Sequence, residues 1–178
     1  MKKIWIFAFA SVLAVSHCKK SVAGQTQQWQ NALKDLDEAT TQYPSLKNIL
    51  SARAAEAKAI YAEAEKIGDE KQKAEKISAA IAALNVDLGV VVEIKTKLAG
   101  IDSTIGRVTK TKTSTDRANR ATAEIKAIRT EQAAIEGDFS ALKPANSEEL
   151  NKQGREIVGR IISVSGRADR VLKLVKGK

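Results

Sequence analysis

Apolar residues recur along most of this chain at steps of three and four, the spacing that lines one face of a helix. The first such stripe holds Trp29, Leu33 and Leu36 and predicts a helix over 26–42, with Pro44 as its stop. A second runs over 45–67 through Leu46, Ile49, Leu50, Arg53, Ala57, Ile60 and Ala64, and Gly68-Asp69 punctuates its end. A third begins near Asp69 and carries Ile77, Ile81, Leu84, Leu88, Val91 and Ile94, continuing through Leu98, Ile101, Ile105 and Val108. It is nearly a heptad seam, with a stammer at Val91. Gly100 and Gly106 make a break in its last third conceivable. Thr109 to Asp116 has no apolar residue and reads as the loop or frayed turn before the next helix.

The fourth stripe, Ala121, Ile125, Ile128, Gln132, Ile135, Phe139 and Leu142, alternates four and three until Pro144 ends it. Asn146 is placed to cap a fifth helix, with Glu149 in capping-box position. Leu150, Gly154, Ile157, Ile161, Val164, Ala168, Val171 and Val175 form its seam, and the small residues Gly154 and Ala168 would let a neighbour approach closely. Stripes this long must be buried, and the connectors are short, which favours antiparallel neighbours. The expected fold is all-α: one elongated antiparallel helical bundle of about four to five helices with coiled-coil-like seams, occupying 28–178. A coiled coil paired between chains is the rival arrangement.

The beginning of the chain follows another pattern. Lys2-Lys3, the apolar run Ile4 to Val15, and Ser16-His17-Cys18 have the three zones of a secretory signal. The run is too short for a spanning helix, which needs about 20 apolar residues. Residues 1–17 are therefore expected to be removed, and 18–27 to form a modified N-terminus and tether. Val15-Ser16-His17-Cys18 resembles the lipobox of bacterial lipoproteins, cut between His17 and Cys18 and lipidated on Cys18. His17 departs from the small residue usual at that position, and the looser lipoboxes of spirochaetes are the more similar. The resemblance implies anchoring through several acyl chains (palmitate among them), since one chain holds a membrane only marginally. Lys19 follows the cysteine, where an aspartate would signal inner-membrane retention in enteric relatives, so the resemblance favours the outer membrane. A competing cut after Ser21-Val22-Ala23 would give a free periplasmic or secreted protein.

Composition agrees with the helical reading, with aromatics at only 4 % and two prolines. The formal net charge is +9, and Lys2 and Lys3 would leave with the signal. His17 and Cys18 are the single histidine and single cysteine. The mature chain would thus lack the groups for Ser–His–Asp, Cys–His or Cys–His metal chemistry. No metal site, cofactor or enzymatic activity is expected. Asp35, Asp37 and Glu38, Glu63 and Glu65, and Glu148 and Glu149 are carboxylate groups on exposed faces, where Glu63–Lys66 and Glu124–Arg129 read as pairing along a helix. The one candidate binding feature is a basic stretch with Arg107, Lys110, Lys112, Arg117 and Arg120, to which the last helix adds Arg155, Arg160, Arg167, Arg170, Lys173 and Lys176. Such a patch suits an acidic glycan, an anionic lipid or an acidic protein partner. Nucleic acid is not expected, because export and the lack of interleaved aromatics both argue against it. The function read from the sequence is a membrane-anchored, non-catalytic binding, adhesion or spacer module of the bacterial envelope.

Overall fold

A computed structural model describes residues 21–177. They form five α-helices: α1 Val22–Gln42, α2 Lys47–Ala64, α3 Glu70–Lys110, α4 Thr115–Ala141 and α5 Ser147–Lys176. A 3-10 turn, Pro44–Leu46, joins α1 to α2 with Pro44 in its first turn. No strand occurs among the described residues, and the molecule is an all-α bundle.

Helix α3 is the axis. Its 41 residues extend about 60 Å at the usual helical rise. Pairing between side chains gives the direction of every neighbour. Glu63–Lys76 at 2.6 Å and Arg53–Asp87 at 3.2 Å set α2 antiparallel to the first half of α3. Glu38–Lys95 at 3.5 Å, with Ser21 and Val22 beside Glu70 and Ala74, sets α1 parallel to it. Ser147 meets Asp87, and Gly154 meets Val90 and Ile94, so α5 runs parallel along the second half. Arg160–Asp138 and Arg167–Glu131, both at 2.6 Å, bind α4 antiparallel to α5. Two helical hairpins, α1–α2 and α4–α5, thus stand end to end on one continuous helix. They meet where Tyr43 packs edge-on against Phe139, ring centroids 4.6 Å apart, and Ser45 Oγ donates to the Ser140 carbonyl.

The seams supply the core. In α3, Ile77, Leu84, Leu88, Val91, Ile94 and Ile101 are almost wholly buried, and Ile81 is half-buried. Every seam position of α5 expected from the sequence is buried, Gly154 and Ala168 included. In α4 the seam is buried at Ala121, Ile128, Gln132, Ile135 and Phe139. Trp29 and Tyr61 stack at 4.9 Å between α1 and α2.

Several boundaries differ from the sequence reading, each for a local reason. Helix α1 starts at Val22, because Ser21 Oγ accepts from Gly24 N–H at 3.1 Å and caps it. Residues 24–27, expected in the tether, are helical, and Gln25 is buried. Helix α3 does not break at Gly100 or Gly106. Each glycine costs about 1 kcal/mol, but burial of Leu98, Ile101, Ile105 and Val108 contributes about 1.5–3 kcal/mol per side chain. Thr109 belongs to α3, its hydroxyl donating to the Gly106 carbonyl, so the link to α4 shrinks to Thr111–Ser114. Asn146 caps α5 as expected, accepting from Glu149 N–H at 2.9 Å. The Glu149 carboxylate reaches back to the amide of Ala145, one residue beyond the usual capping box.

Candidate functional site

The five cations of the candidate patch converge on one end of the rod. Arg107 and Lys110 occupy the last turn of α3, Lys112 the link, and Arg117 and Arg120 the first two turns of α4. All five are exposed. None has a carboxylate within 4.0 Å among the described residues. The C-terminus of α5 arrives at the same end. Gly177 caps it with φ 71°, a left-handed conformation that suits glycine, and the Arg117 guanidinium lies against it. Lys173 and Lys176 in that last turn add to the cluster and complement the negative end of the helix dipole.

Three other arginines of α5 are engaged away from this face. Arg160 pairs with Asp138, and Arg167 bridges Glu131 and Glu124 of α4. Arg155 donates to the Asn151 carbonyl of its own helix. Ion pairs are mostly between helices, and the closest partners of Glu63, Glu124 and Arg129 are not those expected along one helix, although the charge of Lys66 also acts on Glu63. Glu63 takes Lys76, Glu124 takes Arg167, and Arg129 takes Asp102 of α3. Long side chains at helix flanks reach the facing helix once the seams bring it close. The hydrogen bond and charge of Lys76 hold the Glu63 carboxyl below its ordinary range. Burial, then the charge of Glu38, pushes the Asp35 carboxyl up.

A second polar constellation was not singled out from the sequence. Asp87 of α3 is fully buried where α2, α3 and α5 meet. Its Oδ2 accepts from Arg53 Nε at 3.2 Å and Ser147 Oγ at 2.7 Å, and its Oδ1 from Asn151 Nδ2 at 3.4 Å. Arg53 also donates to Ser147 Oγ at 3.0 Å and to Glu56 at 2.6 Å. The bond to Asp87 leads the influences that raise the Arg53 guanidinium above its already high ordinary value. A groove of about 420 Å³ opens beside this knot, lined by Asn48, Arg53, Glu56 and Asn146. The knot is internally satisfied: the buried carboxylate has its donors, and Arg53 is held on three sides. It can fix the register of three helices, and it leaves no unpaired group aimed at the groove. Its sequence signal was a charge inside each of two apolar stripes, Arg53 between Leu50 and Ala57, and Asp87 between Leu84 and Val91.

His17 and Cys18, with the rest of the export signal, lie outside the described residues. Among the described residues no group of three or more His, Cys, Asp or Glu side chains is arranged to hold a metal ion. Helix α3 is long and apolar enough to cross a membrane by length and composition, but its seam is spent on α1, α2 and α5. Comparison with family models, with curated proteins and with solved structures gives no match for this chain.

Proposed function

We propose that the protein is a lipid-anchored, non-catalytic module of the bacterial envelope, tethered through Cys18 and projecting a rigid helical rod from the membrane. The observation that carries the proposal is Cys18 itself, a lone cysteine closing an apolar export signal just before the folded rod begins. The start of α1 adds support. A cut after Ala23 would remove Ser21, which caps the helix, and Val22, which packs against the core. A cut before Cys18 keeps both. The tether then joins the end of the rod where α1 and α3 both begin.

A spacer role fits the build. One uninterrupted helix runs the full length, and both hairpins brace it, so force or distance is transmitted without a hinge. The buried carboxylate of Asp87 has its donors in hand, which suits a structural part better than a reactive one. The outer membrane is the proposed site, following the resemblance at Lys19.

Metabolic labelling with radioactive palmitate, followed by membrane fractionation, tests this. Wild type is expected to carry label and sediment with membranes, and Cys18→Ala to lose both. Mass spectrometry that found an unmodified mature chain starting at Gly24 would overturn the proposal in favour of a free periplasmic or secreted protein.

A further inference from the structure

We infer that the basic end of the rod is a docking surface for an acidic polysaccharide, held at the end opposite the tether. The placement follows from the fold. Ser21 lies beside Glu70 at the start of α3, whereas Arg107 and Lys110 lie at its finish, about 60 Å away. The statement about the tether rests on the proposed lipid anchor; the binding itself does not.

The density of cations over acids singles out this end. Along the shaft several cations pair with an acid of a facing helix, as in Lys76–Glu63, Lys95–Glu38, Arg160–Asp138 and Arg167–Glu131, and others such as Lys58, Lys66 and Lys71 are interspersed with carboxylates. From Arg107 to Arg120 there are five cations and one acid, Asp116. From Arg170 to Gly177 there is no acid at all. Three chain segments therefore bring exposed positive charge, in excess of acid among the described residues, to one place, and the field of such a cluster attracts a polyanion. The partner class follows from what the cluster lacks. No aromatic residue lies between Arg107 and Arg129 or in α5, so nucleic-acid bases have nothing to stack on. Val108 is buried, and no exposed large apolar side chain stands among the cations to enter a bilayer. The cluster offers dispersed, electrostatic contact without an apolar anchor, which suits a flexible chain of sulfate or carboxylate groups better than a folded acidic protein, whose docking ordinarily buries apolar side chains.

The test uses the full chain in non-ionic detergent and a heparin decasaccharide as probe. Lys112→Gln with Arg117→Gln and Arg120→Gln is compared with Lys58→Gln, Lys66→Gln and Lys71→Gln, which removes the same charge elsewhere. The first triple is expected to weaken binding on the order of tenfold and the second by less than about twofold, since charges beyond the screening length contribute little. Raising salt from about 0.1 M to about 1 M shortens that length from about 10 Å to about 3 Å and is expected to abolish wild-type binding. Far-ultraviolet circular dichroism checks that both triples remain helical, and Arg107→Gln with Lys110→Gln provides an independent variant of the same surface. Equal losses in both triples, or binding indifferent to salt, would overturn the inference. So would tip-dependent binding of phosphatidylglycerol vesicles with no binding of heparin. Cys18→Ala is expected to leave heparin binding intact, so failure of the anchor and failure of the docking surface register in different measurements.

Discussion

The middle of the rod and its far end use the same side chains for opposite purposes. At the middle, Arg53 is folded onto a buried carboxylate and two further partners, and its charge is consumed in joining α2, α3 and α5. At the far end, Arg117 and Arg120 stand exposed with no carboxylate within 4.0 Å among the described residues. The difference teaches that a count of basic residues says little until each is assigned a partner. Matched charge belongs to the architecture, and unmatched charge is available to something outside it. Mutations at the two places should therefore appear in different experiments: stability for the knot, binding for the tip.

The largest effect is expected at Asp87. Asp87→Ala removes the acceptor from three donors and leaves Arg53 with only its exposed carboxylate partner Glu56. Losing one member of a buried pair costs about 3–5 kcal/mol, and the lower side applies because the Arg53 side chain keeps 23 % of its surface in water. Urea denaturation should show the loss. Pairing Asp87→Leu with Arg53→Met should recover most of it, because apolar packing can replace a buried ion pair. If Asp87→Ala were neutral, the knot would not be what joins the three helices.

Gly154→Ala comes next. A Cβ there would collide with Val90 Cγ1, where α5 packs on α3. Overpacking costs about 1–3 kcal/mol, against a gain of about 1 kcal/mol in helix propensity. A net loss is expected, reversed by adding Val90→Ala. Asn146→Ala should cost about 1 kcal/mol by uncapping α5 beside the knot. Asp35 gives a smaller effect with a pH signature. Its carboxyl is raised in the fold, so its ionised form weakens the folded state above that raised pKa, and the penalty vanishes as pH falls and both states bind the proton. Asp35→Asn should raise Tm near neutral pH and leave it unchanged at about pH 3, below the usual carboxylate range.

The parts legible in the sequence were those set by local periodicity. The seam of α5 was readable throughout, because each apolar residue returns to the same face every three or four positions. The tip was readable because most of its cations lie close together in the chain, and a helix end gathers its last turn and the next first turn by itself. The knot was harder, since its members stand 34 and 60 residues apart and only the pairing of α2 and α5 with α3 unites them. Interhelical ion pairs were misread as pairs along one helix for the same reason. The start of α1 was obscured because Ser21 also fits a cleavage motif, and one residue cannot be cap and cleavage signal in the same mature chain.

The smallest expected effect sharpens the comparison most. If the tip is available charge, removing it should leave the fold nearly untouched. Its two kinds of site should even differ in size of effect. Arg117 and Arg120 stand at the N-terminus of α4, where the positive end of the helix dipole opposes cations, whereas Lys173 and Lys176 stand at the favourable C-terminus of α5. Arg117→Gln with Arg120→Gln should change stability by no more than about 0.5 kcal/mol, because the Arg117 guanidinium also lies against the C-terminal cap of α5, where a cation is favourable. Lys173→Gln with Lys176→Gln should cost about 0.3–1 kcal/mol at low salt and nothing measurable at about 1 M. Urea denaturation at both salt concentrations decides it. A loss above about 1 kcal/mol from the arginine pair would mean those charges already have partners within the rod, and the division between a matched middle and an available end would fall.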